Sequence, residues 1–175
     1  MDFNLPTEIE VYREAVRNFV DTHIIPLEAD RSNYDHHENI APEILKETQK
    51  KIKAAGLWAP QMPKDRGGLG FDQIGMAASY EEMNRSIFGP VCFNCSAPDD
   101  GNMFVLNRVA TKEQKDKWLQ PIIDGDVRSS FVMTEPHPGS GSDPSMMLTK
   151  AEPLGNSKWR ITGHKWFITG AEVAE

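Results

Sequence analysis

The sequence is poor in cysteine and has no long hydrophobic run, and each shortage excludes a class of protein. Its two cysteines, Cys92 and Cys95, cannot build a disulfide framework, and a zinc site would need two more ligands that no second CxxC or HxxxH supplies. No apolar run approaches the ~20 residues of a membrane-spanning helix, and the segment MDFNLPTEIE has neither the basic nor the apolar region of a signal peptide. We therefore expect a soluble, intracellular protein without a membrane span.

An excess of basic charge is also missing. The chain carries 19 Lys and Arg residues against 26 Asp and Glu residues, a formal net charge of −7. Acidic charge opposes close approach to a polyanion and no basic patch stands out, so nucleic acid is excluded as a partner. His36 and His37 beside Glu38 could ligate a metal, but neighbouring side chains diverge and no further ligand is placed. A solvated loop is favoured there, and we expect no metal. The Cys92–Cys95 spacing leaves a redox dithiol open, although no βαβ pattern surrounds it.

Residues 1–125 contain a series of helical patterns. A hydrophobic content of 39% with 26% charged residues is typical of a globular chain. The start and stop signals predict one helix that Thr7 caps and Pro26 ends, one that Pro42 opens and Gly56 follows, one that begins after Asp72, one over residues 99–109, and one over 111–123 whose capping box is Thr111 with Gln114.

The pattern changes after Gly125. Residues 127–135, 147–154, 158–163 and 164–169 are short runs rich in β-branched and aromatic residues, separated by turn residues, and are predicted strands. The fold class is therefore α+β, with an all-α domain over residues 1–125 and an incomplete β domain over residues 126–175. Four strands without a closing element leave exposed sheet edges, so we expect the chain to be a truncated piece.

Two segments of the β part suggest a site for a cofactor. In the first, Phe131–Asp143, a strand leads into a turn in which Gly139 and Gly141 free backbone amides and serine hydroxyls stand nearby, a combination suited to a phosphate or to the polar edge of a flat ring. In the second, Gly163–Gly170, period two places Phe167 and Thr169 on one face of a strand, an aromatic surface beside a hydroxyl donor. An ordinary surface turn and an ordinary core strand remain the alternative readings of these segments.

Together these segments carry a resemblance to a known family. TEPHPGSGSDP, followed by NSKWRITGHKWFITGA, resembles the flavin-binding signature of the acyl-CoA dehydrogenases, and the upstream GGLGFD and EQKDKWLQPIIDGD are similar to the N-terminal domain of that family. The run Asn94–Met103 is similar to a branch that acts on longer or branched acyl-CoA thioesters. The resemblance covers essentially the whole chain and implies an N-terminal helical domain followed by the first strands of a β-barrel-like middle domain.

The resemblance also implies a reaction and a set of cofactor residues. The reaction would be FAD-dependent oxidation of acyl-CoA to trans-2-enoyl-CoA in fatty-acid β-oxidation, with α-proton abstraction and β-hydride transfer to flavin N5. Ser142 would contact the cofactor pyrophosphate or the substrate thioester. The implied cofactor-binding residues are Phe131, Met133, Thr134, Gly141, Ser142, Phe167 and Thr169, of which Thr134 would bond the pyrimidine edge, Phe167 would pack on the ring and Thr169 would lie near N5.

The sequence departs from the family pattern in its loop and in one aromatic residue. The usual TEPxAGSD motif is two residues shorter, which leaves the register of the loop and the role of Ser140 undecided. Phe167 stands where many relatives have Trp, and Trp166 is expected on the opposite side of the strand as a packing residue.

No catalytic residue is assigned in this chain. Glu81 and Glu82 are expected on a helix surface and Glu135 as a structural part of the turn. The family's catalytic glutamate belongs to a C-terminal domain, so the 175-residue chain alone is expected to be inactive.

Further expectations concern partners, location and competing functions. The resemblance implies electron transfer to an electron-transferring flavoprotein, a homo-oligomer at full length, and a location in the bacterial cytoplasm or in a eukaryotic mitochondrion or peroxisome. Two other functions stay open. One is a catalytically silent module that binds acyl-CoA or serves assembly, and the other is a flavin-dependent oxidase or monooxygenase on the same scaffold.

Overall fold

The computed structural model describes residues 4–174 and divides the chain into two compact units, residues 1–126 and residues 127–175. All the helices longer than three residues lie in the first unit and both strands lie in the second. The α+β class, with helices first and strands after them, is confirmed. None of the helices within residues 4–174 is long and apolar enough to cross a membrane.

Between residues 4 and 126, the first unit contains eight α-helical segments, two of which are followed by a π-helical turn. The π turns are Val20–Ile24 and Lys115–Leu119, and each is continuous with the helices on either side. The α-helical segments are α1 Thr7–Phe19, α2 Ile25–Glu28, α3 Pro42–Ala54, α4 Gln73–Met83, α5 Gly89–Cys92, α6 Asp99–Val109, α7 Lys112–Gln114 and α8 Gln120–Asp124.

The first helix differs from its prediction at both ends. Thr7 is the first helical residue rather than the cap, because the carbonyl of Pro6 accepts the N–H groups of Ile9 and Glu10 at 2.9 and 3.0 Å. The helix also continues past Pro26 to Glu28. Pro26 has no N–H to donate, and the π turn before it changes the hydrogen-bond register at this point of the helix.

The other helix signals are confirmed. Pro42 opens α3, and Gly56 follows its end at φ +71°, a left-handed conformation that suits glycine. The Asp72 carboxylate caps α4 by accepting the N–H of Gly75 at 2.9 Å. Thr111 and Gln114 form the predicted capping box, with side-chain to backbone distances of 3.3 and 2.9 Å.

The core of the helical unit includes the contact between α1 and α4 and extends to buried side chains of α3, α6 and α8. Its α1 side consists of Ile9, Tyr12, Val16 and Phe19, spaced three and four residues apart and buried. Cys92 and Cys95 are also buried and unpaired. Burial raises the pKa of Cys92 to about 12 and that of Cys95 well above its ordinary value, so both stay thiols at neutral pH and a redox dithiol is not favoured.

The second unit contains a two-stranded antiparallel ribbon. Strand β1, Lys150–Gly155, pairs with β2, Lys158–Thr162, so that Lys150 lies opposite Thr162 and Pro153 opposite Trp159. Asn156 and Ser157 connect the strands at φ +51° and +58°, as a two-residue hairpin turn requires.

Two of the four predicted strands are not part of this sheet. Residues 127–135 are mostly irregular and form only an isolated bridge, from Arg128 to Ala174. Residues 164–169 are interrupted at Phe167, which adopts φ +51°. The strand predictions failed there because both segments give backbone groups to side chains and to each other instead of to a ladder, as described below.

Candidate functional site

A buried carboxylate, that of Glu135, lies at the centre of the second unit. It accepts the backbone N–H groups of Ser140, Leu148 and Thr149 at 3.2, 2.7 and 2.8 Å. It also accepts the Thr149 hydroxyl at 2.5 Å and the Lys165 ammonium at 2.9 Å. Three segments that are distant in sequence are therefore held by one side chain.

These donors keep Glu135 ionised. The Thr149 hydroxyl, the Leu148 N–H and the Lys165 ammonium hold the pKa of the Glu135 carboxyl far below its usual range, against the opposing effect of desolvation. A carboxylate occupied by five donors has no free lone pair directed at a substrate proton, so it is unsuited to act as a base. The structure thus gives Glu135 the structural place in the turn that was expected from the sequence.

Around Glu135, the two predicted cofactor segments are joined through their backbones. The carbonyl oxygen of Met133 accepts the Ser140 hydroxyl at 2.9 Å and the Lys165 ammonium at 2.8 Å. The N–H of Trp166 donates to the carbonyl of Thr134 at 3.2 Å. Further along, the Ser130 hydroxyl donates to the carbonyl of Thr169 at 3.2 Å. Residues 130–134 and 165–169 therefore run beside each other.

The close packing around Glu135 requires glycine at two positions. A Cβ on Gly139 would overlap the Glu135 carboxylate, and a Cβ on Gly163 would overlap the Thr149 hydroxyl. Gly141, by contrast, has no atom within 4 Å of the position a Cβ would take. Gly139 and Gly163 therefore serve the network, whereas Gly141 leaves open space beside the loop.

The structure also separates the roles of the two serines in the loop. Ser140 is fully buried and bonded to Met133 and Glu135, so it belongs to the network. Ser142 and Gly141 are exposed beyond it. Ser140 therefore lies inside the loop and Ser142 outside it.

The predicted aromatic residues are exposed. Phe131 is 60% exposed and Phe167 82% exposed, while Met133 and Thr134 are half-buried beside them and Thr169 is exposed. Single exposed aromatic rings are common, but Phe131 and Phe167 lie on adjoining segments that also carry the hydroxyl residues Thr134 and Thr169. Aromatic rings and hydroxyl groups are the side-chain types that suit a planar heterocycle. The residues present therefore fit a flat ring with a polar edge.

Two expectations about the second segment are wrong. Phe167 and Thr169 do not share a face of a strand, because the segment is not a strand. Trp166 is not on the opposite side from Phe167 either: the two ring centroids are 4.7 Å apart. The positive φ of Phe167 breaks the period-two alternation on which both expectations rested.

Comparison with known proteins identifies the family. The protein-family model described as "Acyl-CoA dehydrogenase, N-terminal domain" matches residues 6–126. The chain belongs to the acyl-CoA dehydrogenase family. It is 38% identical over 162 residues to acyl-CoA dehydrogenase family member 11 of Gallus gallus, an alignment that covers 89% of this chain and 20% of the relative.

Solved structures agree with this assignment of the acyl-CoA dehydrogenase chain. A Mycobacterium abscessus structure assigned to the acyl-CoA dehydrogenases is similar at TM-score 0.84 and 36% identity, over 96% of this chain and 44% of that chain. A glutaryl-CoA dehydrogenase from Mycobacterium smegmatis in complex with FADH2 is similar at TM-score 0.69 and 25% identity, over 97% of this chain and 41% of that one. The chain thus spans less than half the length of these relatives.

Proposed function

We propose that this chain supplies the helical domain and the flavin-binding surface of an FAD-dependent acyl-CoA dehydrogenase that converts acyl-CoA to trans-2-enoyl-CoA. One observation carries the proposal: the hydrogen bond from Trp166 N–H to the Thr134 carbonyl joins the two segments that resemble the flavin signature. The family assignment and the similar structure that contains FADH2 support it.

The residues of this chain would bind and orient the cofactor. Thr134 would donate to the pyrimidine edge, and such donors stabilise the negative charge of a reduced flavin. The exposed rings of Phe131 and Phe167 would cover the ring system, and Met133 would line it. The exposed Ser142 would contact the cofactor pyrophosphate or the substrate thioester, beside Gly141. The exposed Thr169 would lie near N5 of the ring. When bound, FAD supplies the hydride acceptor of the reaction.

The catalytic base is proposed to lie outside this chain. What supports this is the environment of the candidate glutamates. Glu82, which was expected on the helix surface, is instead buried and accepts the guanidinium groups of Arg13 and Arg17, and Glu135 is fully occupied by its donors. Glu81 is exposed on α4. We further propose that the chain alone is inactive, that the full-length protein is a homo-oligomer, and that its electrons pass to an electron-transferring flavoprotein.

The experiment uses the purified full-length protein reconstituted with FAD. Acyl-CoA thioesters of increasing chain length are added anaerobically while the visible absorption band of the flavin is recorded. Bleaching by at least one thioester is expected, with a trans-2-enoyl-CoA as the product. Thioester binding without bound FAD would instead support the silent module, and rapid oxygen consumption during turnover would support the oxidase. Failure to bleach with every thioester would refute the dehydrogenase.

A further inference from the structure

Glu135 is not among the residues expected to touch the cofactor, yet its contacts lead to two of them, Met133 and Phe167. Its carboxylate bonds both Ser140 and Lys165, and these two residues in turn bond the carbonyl of Met133. The Met133 carbonyl oxygen therefore has two donors, at 2.9 and 2.8 Å, on the side that faces the network. Glu135 is thus connected to Met133 by two routes, one through Ser140 and one through Lys165.

Fixing that carbonyl also fixes the next N–H group. In the part of the chain that the structure describes, the cis peptide bonds are Ala97–Pro98 and His137–Pro138, so the Met133–Thr134 peptide is trans. In a planar trans peptide the C=O and N–H groups point in opposite directions. The Thr134 N–H is therefore turned away from Lys165 and Ser140, and it is presented on the other side of the peptide as a donor.

The same ion pair also locates the aromatic residue of the second segment. Lys165 is directly followed by Trp166, whose N–H bonds the Thr134 carbonyl at 3.2 Å, and then by the exposed Phe167. The Glu135–Lys165 contact at 2.9 Å therefore restrains the backbone that carries Phe167. Lys165 itself is 16% exposed and Glu135 3% at the side chain, so water screens the pair weakly.

We propose that Glu135 is a positioning residue of the flavin site: through Lys165 and Ser140 it turns the Thr134 N–H toward the polar edge of the flavin and holds Phe167 alongside. The inference rests on the proposed function. It adds a residue to the site whose effect is on the energy of the reduced cofactor, since a lost donor at the ring edge destabilises the negative charge that reduction places there.

The test compares two Glu-to-Gln variants of the full-length protein. Glu135→Gln removes the charge that holds Lys165, and Glu152→Gln is the matched control because Glu152 is an exposed residue of β1. Two quantities are measured, the dissociation constant of FAD and the midpoint potential of the flavin at saturating FAD. Glu135→Gln should weaken FAD binding on the order of tenfold, which corresponds to the free energy of about one hydrogen bond to a charged group. It should also make the midpoint potential more negative, because a donor at the ring edge is lost. Glu152→Gln should leave both quantities at the wild-type values.

A milder variant keeps the test decisive if Glu135→Gln does not fold. Ser140→Ala removes only the hydroxyl that bonds the Met133 carbonyl, and it should shift the potential in the same direction by a smaller amount. Wild-type affinity and potential in Glu135→Gln, or an unchanged potential in a folded Ser140→Ala, would overturn the proposal. Absence of FAD binding by the wild type is a different result, which would refute the proposed function itself.

Discussion

The ammonium group of Lys165 lies 2.9 Å from the carboxylate of Glu135 and 2.8 Å from the carbonyl oxygen of Met133, although Lys165 and Glu135 are 30 residues apart. This contact joins the two segments that resemble the flavin signature. It helps to hold the backbone before Phe167 next to Thr134, and the predictions for the second unit depend on it.

Gly139 and Gly141 should respond differently to the same substitution. Gly139→Ala would place a Cβ against the Glu135 carboxylate, and overpacking of this kind costs about 1–3 kcal/mol. Gly141→Ala meets open space and should change the free energy of unfolding by less than about 0.5 kcal/mol. Denaturant unfolding of the full-length variants measures both. Equal destabilisation by the two substitutions would contradict the packing described around Glu135.

Gly141 also tests whether the cofactor approaches the loop. Because the Gly141→Ala protein should keep its stability, any loss of FAD affinity reports on the ligand rather than on folding. We expect FAD to bind more weakly to Gly141→Ala than to the wild type. Unchanged affinity would remove Gly141 from the site and leave the network around Glu135 untouched.

In the helical unit, Glu82 should contribute far more stability than its neighbour Glu81. The Glu82 carboxylate is 1% exposed and accepts Arg17 at 2.6 Å and Arg13 at 3.1 Å, and its hydrogen bond with Arg17 is the main reason its pKa is lowered. Glu82→Gln should cost about 2 kcal/mol, the loss expected for hydrogen bonds to a charged group. Glu81 is 69% exposed and 3.8 Å from Arg13, so Glu81→Gln should cost less than about 0.5 kcal/mol. Urea unfolding at neutral pH distinguishes the two, and equal values would contradict the assignment.

The stabilising effect of Glu135 should depend on pH. Since its pKa is lowered in the folded protein, its contribution is complete above the ordinary glutamate pKa of about 4.3 and is lost as the pH falls below that value. Glu135→Gln cannot titrate at this position. The difference in unfolding free energy between wild type and Glu135→Gln should therefore be largest near neutral pH. It should become smaller as the pH falls toward 3, because protonation of Glu135 removes its contribution. A difference that stays constant with pH would contradict this.

Asp100 should behave in the opposite way. One of its oxygens accepts the Tyr80 hydroxyl, whereas the buried Oδ1 has no hydrogen-bond partner among the described residues, and burial raises the pKa of the carboxyl. A raised pKa means that the charged form is disfavoured in the folded protein, so stability falls as the pH rises through it. Asp100→Asn should therefore be more stable than the wild type at neutral pH, by about 1 kcal/mol, with the advantage shrinking in acid.

The matched control for Asp100 is Asp116. A hydrogen bond from Lys112 lowers the pKa of the exposed Asp116 carboxyl, so its charged form is favoured in the folded protein. Asp116→Asn should lose a little stability at neutral pH rather than gain it. A gain in both variants would show that charge burial does not explain the effect at Asp100.

The helices were predictable because their signals are local. The capping box of Thr111 with Gln114, the cap at Asp72 and the glycine at position 56 each act within one turn, and each has the predicted geometry. The end of the first helix was predicted too early, at Pro26. A π turn changes the hydrogen-bond register before this residue, and the periodicity of the sequence does not indicate such a turn.

The sequence suggested which residues could form the candidate site, but it did not give their arrangement. Residues 164–169 alternate like a strand, yet the N–H of Trp166 bonds Thr134 and Phe167 takes a positive φ, which only the surrounding structure can impose. The pairing of Glu135 with Lys165 was invisible because nothing in a single sequence relates two charges 30 residues apart. The sequence singled out the two segments, and the contacts that hold them together are seen only in the structure.

Whether these residues form a flavin site can be measured by an equilibrium titration of FAD into the full-length apoprotein. Phe167 is 82% exposed, so Phe167→Ala should leave folding intact, and Trp159→Ala is the control because Trp159 is an exposed aromatic residue of β2 outside the proposed site. We expect saturable FAD binding by the wild type and by Trp159→Ala, with binding about tenfold weaker in Phe167→Ala, the effect of one lost aromatic contact. No FAD binding by the wild type, or equal binding by Phe167→Ala, would contradict this expectation.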